Sequence, residues 1–148
     1  MKYLRFIILF IIFIGVIVFL TKKETKNSIE RDKVLHNNVI FNGIVTDIKT
    51  SNNHNFGILV LSIYKSNIKE SKSSLSKGIY PYKIQGNSAE VYNYIPDGIN
   101  KGDKVELNSN EKKCYYYYNK TKEKFEGNIK IITDPTDLNF INTHTIFR

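Results

Sequence analysis

The stretch Phe56-Gly57-Ile58-Leu59-Val60-Leu61-Ser62-Ile63-Tyr64 decides the fold class that the sequence predicts. Its β-branched and aromatic residues favour a strand, and the run is apolar enough to lie at the centre of a sheet. The segment before it, Val39–Ile48, has the same composition, and Gly43 within that segment indicates a bulge or a bend. The polar cluster Thr50–Asn55 separates the two segments, so we predict an antiparallel hairpin with a long loop.

Further strand-like segments follow this hairpin at close spacing. They are Ile79–Gln85, in which Pro81 indicates an edge or a strand start, then Ala89–Ile95, Val105–Leu107, Cys114–Tyr118 and Phe125–Thr133. They are separated by an exposed loop over Lys65–Gly78 and by the turns Pro96-Asp97-Gly98 and Lys101-Gly102-Asp103. Because no segment here convincingly predicts a soluble helix, we expect about five to seven strands in a small antiparallel β-barrel or sandwich, OB-like or SH3-like.

This β domain is predicted over residues 39–133, and a domain of about 100 residues can fold without disulfides. The C-terminal tail, residues 134–148, is short and mixed, and Leu138, Phe140 and Ile141 are expected to pack back onto the domain. Cys114 is the single cysteine, which excludes an internal disulfide. We interpret it as a small buried apolar residue rather than a reactive thiol.

The N-terminal segment is apolar without interruption and has basic residues on both sides. The apolar run consists of Phe6, Ile7, Ile8, Leu9, Phe10, Ile11, Ile12, Phe13, Ile14, Gly15, Val16, Ile17, Val18, Phe19 and Leu20. Counted from Tyr3 it covers about 18 residues, or roughly 27 Å of helix. We therefore predict a transmembrane anchor over residues 1–21, with these side chains in the bilayer, and a polar stalk over residues 22–38.

Two questions about this anchor stay open in the sequence. A cleaved signal peptide is the alternative, but the segment ends in bulky Phe19 and Leu20 where a signal peptidase requires small residues. The basic residues after the segment favour a cytoplasmic domain. The positive charges of the short N-terminal tail favour the opposite orientation, with an extracytoplasmic domain. We expect a single-pass protein of the bacterial inner membrane with an exported C-terminal domain.

The chain carries a formal net charge of +8 and has a pI near 9.4, values that are typical of proteins that bind nucleic acid or anionic lipid. Its Lys, Asn, Ile, Tyr and Phe content is also what AT-rich codon usage produces. Three of the lysines, Lys22, Lys23 and Lys26, lie beside the predicted anchor, where they can contact anionic headgroups. The charge alone therefore does not identify a partner.

No combination of residues predicts catalysis. His36, His54 and His144 are too scattered in the sequence to indicate a metal site, and neither a nucleophile signature nor a phosphate-binding loop is present. Asp97 and Asp103 are explained by turn formation rather than by calcium binding. We predict no catalytic residue, no metal, no cofactor and no small-molecule substrate, and hence a protein that is not an enzyme.

The run Tyr115–Tyr118 is the most unusual feature of the predicted domain. On a strand, Tyr115 and Tyr117 face one way while Tyr116 and Tyr118 face the other, so one pair packs in the core and the other lies on the surface. A candidate binding surface consists of Tyr115, Tyr117, Lys112 and Lys113, with Lys120 nearby. Such aromatic and basic residues can stack bases in single-strand-binding barrels.

The segment Phe41-Asn42-Gly43-Ile44-Val45 and the later Gly102-Asp103-Lys104-Val105, followed by a Tyr-rich strand, carry a resemblance. With the N-terminal apolar segment, they resemble small uncharacterised single-pass membrane proteins of Bacteroidetes, which have an F-x-G-x-V strand and a later G-D-x-V turn. The resemblance covers most of residues 1–132. It implies a bacterial envelope location and no catalytic residue.

The sequence thus predicts a membrane-anchored β domain that acts as a non-enzymatic interaction or scaffolding module at the bacterial cell envelope. Its expected partners are the lipid bilayer and an envelope protein. The alternative is a basic OB-like barrel that binds nucleic acid or another polyanion on the cytoplasmic side. Nucleic acid is the less favoured partner, because a membrane-tethered domain is an awkward place for it.

Overall fold

The computed structural model describes residues 2–71, 75 and 77–147 and divides the chain into two compact units, Met1–Val34 and Leu35–Arg148. The first unit is a single helix, α1, which runs over Lys2–Leu35. Its first half is apolar and its second half is rich in charged residues, so the predicted stalk is helical as far as Leu35.

The predicted transmembrane anchor is wrong, because no helix in the described part of the chain is long and apolar enough to cross a membrane. The uninterrupted apolar run Phe6–Leu20 rises only about 22 Å as a helix, whereas the hydrocarbon core is about 30 Å thick. Extending the run in either direction brings in Arg5 or Lys22. The predicted single-pass inner-membrane location and the predicted exported orientation depended on this anchor, so they are wrong as well.

The second unit is built on one seven-stranded sheet, so the prediction of a mainly β protein is confirmed. Its elements are β1 (Ile40–Thr50), β2 (Phe56–Ser66), β3 (Tyr82–Gln85), β4 (Ser88–Tyr94), β5 (Lys104–Asn108), β6 (Lys113–Tyr117), β7 (Lys124–Asn128) and the helix α2 (Pro135–His144). The strand order is β3-β4-β2-β1-β5-β6-β7, and every neighbouring pair is antiparallel. The predicted β1–β2 hairpin is confirmed, with residues 51–55 as its loop.

Strand β2 lies near the centre of the sheet and is buried on both faces, as its apolar sequence predicts. Leu59 and Leu61 contribute to the larger hydrophobic core. On the opposite face, Phe56, Ile58 and Val60 form a smaller core with residues of α2. The predicted bulge at Gly43 is also confirmed, because the β1–β2 register shifts between residues 42 and 43.

The C-terminal tail forms a helix that the sequence prediction missed. Asp134 caps its N-terminus by accepting hydrogen bonds from the amides of Thr136 and Asp137, and Pro135 occupies the first turn. Ile141 is buried against β2, with Leu138 and Phe140 packed beside it in the smaller core. The expectation that these three side chains pack back onto the domain is therefore confirmed.

The predicted closed barrel or two-sheet sandwich is corrected to a single open sheet. Within the described residues, β3 and β7 are the outermost strands of the sheet, since β3 pairs with β4 and β7 pairs with β6. Gln85 of β3 also forms an isolated bridge with Glu70. The sheet is nevertheless strongly curved, since one core draws on residues from β1 to β6 together with Ile129. Strand β3 has only four residues, which leaves the last residues of β4 without a neighbouring strand on that side.

Two further boundaries differ from the prediction. The last predicted strand, Phe125–Thr133, begins at Lys124 and ends at Asn128, and Ile132 beyond it forms only an isolated bridge with Ile79. The loop predicted over residues 65–78 begins after Ser66, and residues 72–74 and 76 of it lie outside the described residues.

Candidate functional site: a cleft beside edge strand β7

Among the described residues, strand β7 pairs with β6 alone, so the backbone groups on its other side form an edge of the sheet. The amide of Ile129 donates to the carbonyl of Lys112 at 2.9 Å, and the amide of Tyr118 donates to the carbonyl of Glu123 at 3.0 Å. Hydrogen-bonded pairs alternate along an antiparallel ladder. The backbone N–H and C=O groups of the odd-numbered residues of β7 therefore point towards β6. The backbone groups of Lys124, Glu126 and Asn128 consequently point to the open edge.

A cleft of about 810 Å³ opens beside this edge, between β7 and the end of β4. Its lining residues are His54, Asn55, Tyr94, Ile95, Pro96, Asp97, Tyr118 and Phe125. Tyr94 and Phe125 are 46% and 50% exposed and give the cleft an aromatic lining. Such a concave, mainly apolar surface with a few polar groups is typical of a ligand site.

The walls of the cleft are fixed by hydrogen bonds between distant parts of the chain. His54 and Asn55 both adopt left-handed conformations, with φ of 48° and 58°, at the end of the β1–β2 loop. The carbonyl of Asn55 accepts a hydrogen bond from the amide of Ile95 at 2.9 Å, which ties this loop to the end of β4. The Tyr118 hydroxyl donates to the carbonyl of Asp97 at 3.1 Å and holds the opposite wall.

One buried side chain, Asn93, links β4 to the end of β7. Asn93 Nδ2 donates to the carbonyl of Asn128 at 3.1 Å and to the Tyr116 hydroxyl at 3.3 Å. Its Oδ1 accepts from the amide of Tyr94 at 2.9 Å. Burial raises the pKa of Tyr116, so this hydroxyl stays protonated. Asn93 thus joins β4 to β7 at the place where, in a closed barrel, these two strands would form backbone hydrogen bonds with each other.

The predicted alternation of the tyrosine run is confirmed. Tyr116 is buried in the larger core and Tyr118 packs partly against it, whereas Tyr115 and Tyr117 lie half-buried on the outer face of β6. Lys113 shares that outer face with Tyr115, and its Nζ lies 2.8 Å from Glu126 Oε1. Lys112 lies in the turn before β6. The four residues of the predicted binding surface are therefore adjacent along the chain, and three of them share a face.

Two carboxylates and one lysine contact Tyr115 and Tyr117 on the outer face. Lys124 Nζ lies 4.1 Å from the ring centroid of Tyr115 and 5.5 Å from that of Tyr117. The Tyr115 hydroxyl donates to Glu111 at 2.6 Å, and this hydrogen bond raises the pKa of Tyr115 to about 12. The Tyr117 hydroxyl donates to Glu106 at 3.2 Å. A base stacking on these rings would have to displace Lys124.

Charged residues alternate in rows across the outer face. One row contains Lys104, Tyr117 and Lys124, and the next contains Glu106, Tyr115 and Glu126. The second unit as a whole carries 15 basic and 11 acidic residues. This face is therefore mixed in sign rather than uniformly basic.

Glu90 and Cys114 are buried and have structural roles. Glu90 is fully buried and accepts hydrogen bonds from the Tyr92 hydroxyl at 2.7 Å, the Thr145 hydroxyl at 2.6 Å and the Ile146 amide at 2.8 Å. It therefore anchors the segment after α2. Cys114 is buried, as predicted, and burial raises its pKa to about 12. Within residues 2–71, 75 and 77–147, no group of three or more His, Cys, Asp or Glu residues could hold a metal ion.

The cleft was not predicted from the sequence, because its residues come from separate segments. Tyr94 and Phe125 looked like ordinary strand residues, and His54 and Asp97 like turn residues. Only the curvature of the sheet brings β4 and β7 together, and no local pattern encodes that approach.

Comparison with protein-family models, curated proteins and solved structures finds no match for this chain. The resemblance to Bacteroidetes proteins therefore stays a prediction.

Proposed function

We propose that this chain is a non-enzymatic protein-interaction module that binds an extended segment of a partner protein along β7. The observation that carries the proposal is the juxtaposition of an unpaired strand edge with an aromatic cleft. A segment that adds to a sheet edge gains affinity from backbone hydrogen bonds, and pockets for its alternate side chains provide specificity.

The backbone groups available for this addition belong to Lys124 and Glu126. Asn128 is less available, because its carbonyl already accepts a hydrogen bond from Asn93. Phe125 lies between the two free positions with its ring 6.0 Å from that of Tyr116. An apolar side chain opposite Phe125 would enter the cleft and cover exposed aromatic surface, which is favourable by the hydrophobic effect.

Charge on the outer face determines which segment fits best. Opposite charges directly across an antiparallel pair are stabilising, and like charges are destabilising. The residue opposite Glu126 should be basic, and the residue opposite Lys124 should be acidic. Read along an antiparallel segment, the preferred pattern is basic, apolar, acidic.

The polyanion alternative receives less support from these contacts. Acidic side chains accept hydrogen bonds from both exposed tyrosine hydroxyls, and Lys113 is paired with Glu126. A phosphate backbone would have to compete with these carboxylates. Polyanion binding stays a prediction, and a steep salt dependence of oligonucleotide binding would support it.

A labelled synthetic peptide, Thr-Lys-Val-Glu-Thr, tests the proposal by fluorescence anisotropy with the full chain. We expect saturable binding that Phe125→Ala weakens about fivefold or more, the effect of losing a central contact. Tyr64→Ala is the matched control, since Tyr64 is 58% exposed but lies on β2. Equal affinity of both variants, or no saturable binding, would overturn the proposal.

N-methylation of the peptide backbone tests the geometry itself. The amides of the peptide Lys and Glu point towards β7 in this arrangement, while the amide of the central Val points away. Methylation of either outer amide should abolish binding, and methylation of the Val amide should be tolerated. Equal effects at all three positions would exclude strand addition.

A further inference from the structure

Strand β7 itself carries the pattern that its edge should select. Lys124, Phe125 and Glu126 are basic, apolar and acidic in this order. Resting on the proposed function, we infer that the partner segment is β7 of a second copy of the chain, paired antiparallel about a two-fold axis at Phe125. Such an isologous contact joins two seven-stranded sheets into one.

The two-fold pairing matches both charge and backbone. Lys124 lies opposite Glu126 of the second copy, and Glu126 lies opposite Lys124 of the second copy. These residues are also the ones whose backbone groups point to the open edge, so each facing pair forms hydrogen bonds. Phe125 faces its own equivalent as a non-hydrogen-bonded pair, in which Cα atoms approach to about 4.5 Å.

The register centred on the neighbouring residue is disfavoured. Pairing about Glu126 places two glutamates opposite each other and sets Lys124 against Asn128. It also requires backbone groups of Asn128, whose carbonyl is already bonded to Asn93. The charge pattern therefore selects the register at Phe125 over this alternative.

The existing contacts of β7 are compatible with this pairing. Lys113 binds Glu126 through Oε1, so Oε2 can accept a hydrogen bond from Lys124 of the second copy. Both lysines lie on the outer face, where the Glu126 pKa is already lowered by its hydrogen bond with Lys113. On the other face, the two half-exposed Phe125 rings bury each other beside the two clefts.

Disulfide trapping in the full chain tests this register. Two cysteines introduced as Phe125→Cys would have a Cα separation within the range of a disulfide, about 4.4–6.8 Å. We expect rapid formation of a covalent dimer under mild oxidation. Tyr64→Cys, equally exposed on β2, should cross-link slowly, and the native Cys114 is buried. Equal cross-linking rates of the two variants would overturn the inference.

Charge reversal in the Phe125→Cys background provides the second test. Lys124→Glu makes both facing pairs acidic, and Glu126→Lys makes both basic, so each variant alone should cross-link at least about tenfold more slowly. A mixture of the two variants restores complementary pairs and should yield the mixed dimer. Lys104→Glu, two strands away, is the control and should leave the rate unchanged.

The outcomes separate this inference from the proposed function. Peptide binding without Phe125→Cys cross-linking would overturn self-pairing and retain the binding edge. Absence of peptide binding together with absence of cross-linking would overturn the proposed function and the self-pairing inference. Cross-linking that charge reversal leaves unchanged would reject the register and therefore the inference.

Discussion

Asn93 and Asn128 are joined by a hydrogen bond of 3.1 Å from Nδ2 to the backbone carbonyl, across the gap where the curved sheet would have to close. The side chain of Asn93 therefore makes the contact between β4 and β7 that backbone hydrogen bonds would make in a closed barrel. On the N-terminal side of Asn128, the backbone groups of Lys124 and Glu126 point to the open edge of β7.

Replacement of Asn93 by alanine should destabilise the domain by about 1–3 kcal/mol. The substitution removes the hydrogen bonds that the buried Asn93 side chain makes with the Tyr116 hydroxyl, the Asn128 carbonyl and the Tyr94 amide, and the loss of hydrogen bonds at a buried position costs about this much. Urea unfolding measures the effect. Asn139→Ala, at an exposed position of α2, should change stability by less than about 0.5 kcal/mol. Equal losses in both variants would refute this role for Asn93.

Replacement of Glu90 by glutamine should release the end of the chain. The amide group of glutamine offers one oxygen to three donors, so the Thr145 hydroxyl or the Ile146 amide loses its acceptor. We expect a loss of about 1–3 kcal/mol and faster hydrogen exchange at the Ile146 amide. Glu123→Gln at an exposed loop position is the control. An unchanged exchange rate at Ile146 would show that Glu90 does not hold this segment.

Tyr115 should titrate with a pKa of about 12, because its hydroxyl donates to the Glu111 carboxylate. A raised pKa means that the folded state favours the protonated phenol. Its contribution to stability is therefore complete below the ordinary value of 10 and is lost as pH rises from 10 to 12. Tyrosine ¹³Cζ chemical shifts measure the titration.

Glu111→Gln is the informative variant for this titration. It should lower the pKa of Tyr115 towards 10 and leave the pKa of Tyr82, raised to about 12 by burial, unchanged. If the Tyr115 pKa does not move, Glu111 is not the cause of its shift.

Local patterns predicted the local structure of this chain well. The apolar run of β2 indicated a central strand, Gly43 indicated the bulge, and strand periodicity put Tyr115 and Tyr116 on opposite faces without deciding which of them is buried. Helix α2 was missed, although Asp134 followed by Pro135 is a recognised start signal for a helix. The residues from Asp134 onwards were interpreted instead as a short tail of mixed composition.

The larger errors have a different origin. The N-terminal segment was predicted from its composition to be a membrane anchor, whereas no helix in the described part of the chain combines the length and the apolar character that a membrane span requires. The cleft depends on the approach of β4 and β7, which are about 30 residues apart and carry no mutual sequence signal. Side-chain bridges such as Asn93–Asn128 arise from tertiary packing, which single-sequence reasoning does not resolve.

Amide hydrogen exchange along β7 tests the central claim most directly. In the full chain at low concentration, the amides of Lys124 and Glu126 should exchange rapidly, while those of Phe125 and Gly127, bonded to β6, should be protected. Addition of the Thr-Lys-Val-Glu-Thr peptide should protect Lys124 and Glu126 selectively. Unchanged rapid exchange of these two amides at saturating peptide would contradict the claim that β7 accepts a further strand.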